Sequence, residues 1–179
     1  MSAITDGARS HDIITWHLAI HFHSPFMDAA PLLASVGRAL REQKLEAVLI
    51  GNAGAALHGA PVTTLDFDFM FRDTPANILK LKRVARSLRC MILRPYYPVY
   101  KLYRLVDDDR GLQVDFMPVI HGIRTFESLR SRADTMRIGA EAVLVASLAD
   151  IVKSKKAAAR PRDRAVLDIL EATLDEKAK

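Results

Sequence analysis

Residues 64–71, Thr-Leu-Asp-Phe-Asp-Phe-Met-Phe, alternate acid and aromatic with a period of two. An extended strand turns that period into two faces: Asp66 and Asp68 project from one, and Phe67, Phe69 and Phe71 from the other. The aromatic side demands a core. The acidic side carries two carboxylates with no cation nearby in sequence, and a divalent metal between them is the simplest way to make the arrangement favourable. Just upstream, the apolar run Ala47-Val48-Leu49-Ile50 ends at Gly51-Asn52, a turn that opens a small-residue segment.

The flanking pattern supplies the rest of an α/β domain. Residues 28–44 read as an amphipathic helix with Leu33, Val36 and Leu40 on one stripe, followed by a strand at 46–50. A short helix over 53–58 closes at Gly59 and Pro61, and the acidic strand spans 64–71. Asp73-Thr74-Pro75 starts a helix reaching about Arg89, with Ile78, Leu81, Ala85 and Leu88 inward. Strands are expected at 90–93, 99–106 and 112–119, the last two forming a hairpin about the turn 107–111. Asp107, Asp108 and Asp109 lack the ligand spacing of a calcium loop and read as a solvated turn.

On the return strand, Asp115 points away from Val114 and Phe116. A carboxylate between apolar neighbours is costly to bury unless paired or bound to a cation. Asp115 is therefore the candidate third ligand beside Asp66 and Asp68, the bland alternative being a solvated sheet face. In the last third, Leu144, Leu148, Ile151, Val152, Lys155 and Ala159 fall on one helical side. Lys155 sits within that stripe, so it either snorkels or meets a negative group inside. Arg160-Pro161-Arg162-Asp163 breaks this helix and starts another with Val166, Leu167, Leu170 and Leu174 inward; Asp163 either caps it or pairs with an arginine.

The expected fold is α/β (α+β): a small mixed sheet flanked by helices, with a core at 27–125 and a C-terminal helical portion at 126–179 packed on it. Residues 1–26 form an extension, ordered poorly or packed peripherally, whose histidines at 11, 17, 21 and 23 show no clear period and no convincing second ligand pair. At 179 residues and 50% apolar content the chain suffices for one domain with a real core. No run of about 18 apolar residues suggests a membrane span. One cysteine, Cys90, excludes an intramolecular disulfide and suits a reducing cytoplasm. Net charge is +5, and residues 153–164 hold six basic side chains against Asp163 alone, which suits either a solvated helix face or a polyanion.

Together these residues resemble the nucleotidyltransferase superfamily, whose minimal fold is shared with DNA polymerase beta. More narrowly they resemble the toxin-type and antibiotic-modifying members, especially the AbiEii/AbiGii toxin group. Gly51-Asn52 stands at the superfamily's turn, Asp66 and Asp68 at its paired acids, and Asp115 at its third acid. The runs Ala56-Leu57-His58-Gly59 and Thr64-Leu65-Asp66-Phe67-Asp68 are similar to the toxin group's His-Gly and Thr-x-Asp-x-Asp segments, and Lys155 through Asp163 to its lysine and Arg-x-Lys-Asp-like segment. Asn52, Val62 and Val166 depart from the usual glycine or serine, arginine and acid.

The resemblance implies a cytoplasmic enzyme that moves a nucleoside monophosphate from an NTP to an acceptor hydroxyl, with Mg (or Mn) held by Asp66, Asp68 and Asp115. It implies nucleotide contacts from Gly51, Asn52, Thr64, Lys155, Arg160, Arg162 and Asp163. The acceptor would be RNA, such as a tRNA end, or a small hydroxylated molecule. The alternative is a non-catalytic nucleotide- or partner-binding module of the same fold, such as a toxin paired with an antitoxin protein.

Overall fold

The computed structural model describes residues 29–64, 66–93 and 101–179. The expectations for residues 1–26, for Leu65 and for the start of the strand at 99–106 lie outside the described residues.

Seven strands form one mixed sheet in the order β3-β4-β5-β2-β1-β7-β6. Along the chain, α1 (Ala29–Glu42) leads into β1 (Ala47–Ile50), α2 (Gly51–Leu57) and β2 (Phe67–Phe71). Then come α3 (Pro75–Ser87), β3 (Met91–Leu93), β4 (Tyr103–Asp107) and β5 (Leu112–Met117). The chain ends with α4 (Phe126–Arg130), the hairpin β6 (Asp134–Ile138) and β7 (Glu141–Val145), α5 (Leu148–Ala158) and α6 (Pro161–Lys177).

Alternation along the strands sorts the apolar residues onto two faces. Phe67, Phe69, Phe71, Val114 and Phe116 pack with Leu33 and Val36 of α1 and with Leu81 and Val84 of α3. On the opposite face Val48, Ile50 and Met70 pack with Leu129, Leu148, Ile151 and Leu170. That second cluster reaches Met117 at its margin, and beyond it the face turns polar.

Two boundaries move for local reasons, and a third falls where the sequence places it. The helix after β1 begins at Gly51 rather than 53, so the glycine turn is its first turn. Asp66 precedes β2 instead of lying in it, because Thr64 Oγ1 donates to the Asp66 carbonyl at 2.9 Å and draws the backbone into a bend. Thr74 caps α3 by accepting from the Asn77 N–H at 3.2 Å, ahead of Pro75 in the first turn.

The largest difference lies in the stretch expected to be helical from 126 onward: residues 134–145 are a β-hairpin. Val143 and Val145 alternate into the first cluster while Leu144 leans on the second. Leu144 therefore belongs to a strand, and its place in the 3.6-residue stripe is coincidental. Gly139 turns the hairpin with φ +60°, and β7 joins β1 in parallel. Glu141 is buried, its carboxylate accepting from Arg38 and Arg41 of α1.

Candidate active site

The site occupies the polar half of the second sheet face. Parallel pairing of β2 with β5 sets Asp68 directly beside Asp115 and, one residue on, Phe69 beside Phe116. Consecutive register pairs face opposite ways, so the carboxylates meet on one side and the rings stack on the other, 5.3 Å apart and 14° from parallel. Asp66, at the foot of β2, completes a triad whose ligand oxygens lie within 4.8 Å of one another.

Each carboxylate is held differently. Asp66 accepts from Thr64 Oγ1 at 3.0 Å and from Gln113 Nε2 at 3.2 Å, which aims it from both sides. Asp115 is buried and accepts a two-pronged bond from Arg104 of β4, Nε to Oδ1 at 2.8 Å and Nη2 to Oδ2 at 2.6 Å. Among the described residues no hydrogen bond holds Asp68. Burial, then the charges of Asp66 and Asp115, push its carboxyl up to about 7, against the opposing pull of Arg162 and Lys155. A cation among the three carboxylates would supply the counter-charge that Asp68 lacks.

Gly51 forms the rim. Its φ is +68°, and a Cβ there would sit 2.5 Å from Asp68 Oδ2. Only glycine satisfies both the left-handed backbone and the carboxylate's approach. Asn52 turns its amide inward, Nδ2 donating to the Thr63 carbonyl at 3.0 Å, while its Oδ1 is buried without a partner among the described residues. At least one of its two amide hydrogens is thus committed to the loop between α2 and β2.

The opposite wall comes from α5 and α6. Lys155 does meet a negative group: Nζ donates to Asp163 Oδ1 at 3.2 Å, with both side chains nearly buried. Asp163 does not cap α6, where Arg160 is the cap residue and Pro161 opens the first turn. Arg160 Nε lies 3.2 Å from the other Asp163 oxygen, without hydrogen-bond alignment. Of the basic residues in 153–164, Lys155 and Arg160 are thus engaged by Asp163, and Lys156 pairs with Glu171.

His58 stands apart from this wall. It is buried, its Nε2 donating to the Ala146 carbonyl at 2.8 Å and its Nδ1 accepting from Lys177 Nζ at 3.2 Å. Desolvation lowers its pKa, so the neutral ring acts as a structural clasp between the end of α2 and the end of α6.

Arg104 and Gln113 are site residues that sequence reasoning missed. A signal existed for Arg104: the hairpin pairs Asp107 with Leu112, and counting three residues out from the turn sets Arg104 opposite Asp115.

Sequence comparison finds no matching family model and no matching curated relative. The fold does match solved structures. The antibiotic-resistance factor ANT(2'')-Ia, in complex with adenylyl-2''-tobramycin, superposes with a TM-score of 0.59 at 16% identity, covering 83% of this chain and 91% of that one. Its solution structure gives 0.60 at 12% identity, over 81% and 83% of the two chains. An antigenic nucleotidyltransferase-like protein from Paracoccidioides brasiliensis gives 0.52 at 15%, over 82% and 75%. The chain therefore has a nucleotidyltransferase fold, a mixed sheet flanked by helices.

Proposed function

We propose that the protein is a metal-dependent nucleotidyltransferase. An acceptor hydroxyl oxygen forms a bond to the α-phosphorus of an NTP as the bond to pyrophosphate breaks, and the hydroxyl proton leaves with a base. The observation that carries this reading is the convergence of Asp66, Asp68 and Asp115 on an open sheet face of this fold, opposite Lys155 and Arg162.

The donor set fits magnesium or manganese: all three groups offer hard oxygens, and Asp68 lacks the counter-charge it needs to ionise readily. When bound, the ion supplies charge neutralisation on the triphosphate and lowers the cost of deprotonating the acceptor. Asp66, braced by Thr64 and Gln113, and Asp68, beside the Gly51 turn, would hold it with the phosphates. Asp115 would face the acceptor. The Gly51-Asn52 turn, at the start of α2, would offer backbone N–H groups to phosphate oxygens, and Lys155, Arg160 and Arg162 would offset their charge. Catalysis of this kind works by positioning and electrostatics, and no protein nucleophile is required.

For the acceptor, a small hydroxylated molecule is the better-supported class. ANT(2'')-Ia was captured with an adenylylated aminoglycoside, and half of the basic side chains that suggested RNA here are engaged by carboxylates. The exposed Lys153, Arg162 and Arg164 keep an RNA or tRNA end as the second reading. A toxin paired with an antitoxin protein rests on the sequence resemblance, as does a cytoplasmic setting. Among the described residues no helix is long and apolar enough to cross a membrane.

Titration calorimetry with each NTP and Mg, comparing wild type with Asp66→Ala/Asp68→Ala, tests the site. Metal-dependent NTP binding that survives the double substitution would sink it. Incubation with labelled NTPs and either aminoglycosides or total tRNA tests the transfer. Labelled product identifies the acceptor class, whereas binding without transfer to any acceptor favours the non-catalytic module.

A further inference from the structure

The row of side chains on the polar face does not end at Asp115. Asp68, Asp115 and Arg104 stand side by side on β2, β5 and β4, one residue per strand, in direct register. Arg104 donates to both oxygens of Asp115, so one of the three carboxylates already has a cation before any metal arrives. The Asp115 side chain is 5% exposed and that of Arg104 39%, which leaves the guanidinium at the open edge of the site.

We propose that Arg104 is a positioning residue that acts through Asp115: it fixes the orientation of that carboxylate and limits how tightly the triad takes a divalent cation. The inference rests on the triad being a metal site and assigns to a residue outside the triad control over that site's affinity. Two physical effects carry it. A carboxylate has about four lone-pair positions, and a fork from arginine occupies two of them, one on each oxygen. Asp115 can then offer an ion only what remains, from a side chain whose rotation is locked. In addition, a fixed positive charge about one side chain away from an incoming dication repels it. At roughly 5 Å, even with the dielectric constant of water, that repulsion weakens binding by about tenfold.

Weak binding suits an ion that arrives and departs with nucleotide phosphates. A site made of three unopposed carboxylates would hold the ion, and with it the product. The fork also gives the buried Asp115 carboxylate a hydrogen-bonded cation of its own, which Asp68 lacks among the described residues.

The two effects separate by substitution. Arg104→Gln removes the charge; Arg104→Lys keeps the charge and loses the planar fork. Mn²⁺ binding to the nucleotide-free full chain, read by electron paramagnetic resonance of the free ion, is expected to tighten by about tenfold in Arg104→Gln. It should remain within about twofold of wild type in Arg104→Lys. Arg104→Gln/Asp115→Asn should lose the gain. Arg104→Lys should also lower kcat for transfer by at least about tenfold with KM for NTP unchanged, the mark of lost orientation.

A purely structural role for Arg104 would lower the melting temperature with and without Mn²⁺ and leave affinity unchanged. Unchanged or weakened Mn²⁺ affinity in a folded Arg104→Gln would overturn the proposal. If Arg104→Gln does not fold, an Arg104→Lys protein with wild-type kcat would overturn it instead. Absence of Mn²⁺ binding in wild type would remove the metal-site reading and this inference together, a result distinct from wild-type binding that Arg104 does not influence.

Discussion

The two faces of the β2–β5 strand pair are built from the same backbone and obey opposite rules. On one face Phe69 and Phe116 stack, Phe71 meets Phe116 edge-on at 5.9 Å, and every ring is buried against α1 and α3. On the other face, displaced by a single residue, Asp68 and Asp115 are pressed together and Arg104 braces only one of them. The aromatic face stabilises the strands; the acidic face costs stability and is tolerated because the other face holds. Local destabilisation of this kind is the usual companion of a functional site.

The contrast breaks most visibly at Phe116. Its replacement by alanine removes both ring contacts from a fully buried position and should cost about 3–5 kcal/mol, measured by urea unfolding. A loss below about 1 kcal/mol would show that the aromatic face is not what holds the pair.

Asp68→Asn should act in the opposite direction. The folded state raises the Asp68 carboxyl to about 7, so it binds the proton more tightly than the unfolded chain does. Stability of the metal-free protein therefore falls as pH rises from about 4 to about 7, then levels. Full linkage would amount to about 4 kcal/mol; partial exposure of Asp68 reduces the expectation to about 2 kcal/mol. Chelator-treated Asp68→Asn should match wild type near pH 4 and exceed it by that margin at pH 8. No widening of the difference across that window would show that the acidic face is not strained.

Gly51→Ala should cost about 1–2 kcal/mol, from its left-handed backbone and its approach to Asp68. In an Asp68→Ala background the steric share should vanish, leaving the backbone share alone. Equal losses in the two backgrounds would separate Gly51 from the carboxylate it faces.

The smallest effect is expected at His58, on the covered part of the second face. Its pKa is lowered by burial, so the unfolded chain takes up the proton first and stability declines as pH falls below 6.5, the reverse of Asp68. His58→Gln should lose that acid-side decline, seen by thermal melts between pH 7 and pH 5. A decline that persists in the variant would assign it to another group.

Much of the site was legible because its pattern is local. The alternation around Asp68 and the lone acid at Asp115 mark two strands and the face each of these acids takes, whereas Asp66 lies in a bend ahead of β2. The Lys155 stripe left two readings, snorkelling or a negative group inside, and the structure gives the second, with Asp163 as the partner. The β6–β7 hairpin was missed because Leu144 fits a helical stripe as well as a strand, and a five-residue strand offers too few turns of pattern to decide.

By itself the sequence determined which side of each strand is acidic and which aromatic, since side-chain alternation needs nothing beyond the backbone's own geometry. Only the tertiary structure decided that β2 and β5, separated in the chain by α3, β3 and β4, lie parallel and in a register that joins Asp68 to Asp115. Parallel strands require a long crossover, and the order in which they settle depends on packing across the whole sheet. The same packing sets Arg104 beside Asp115, and so turns three acids into a site with a counter-ion of its own.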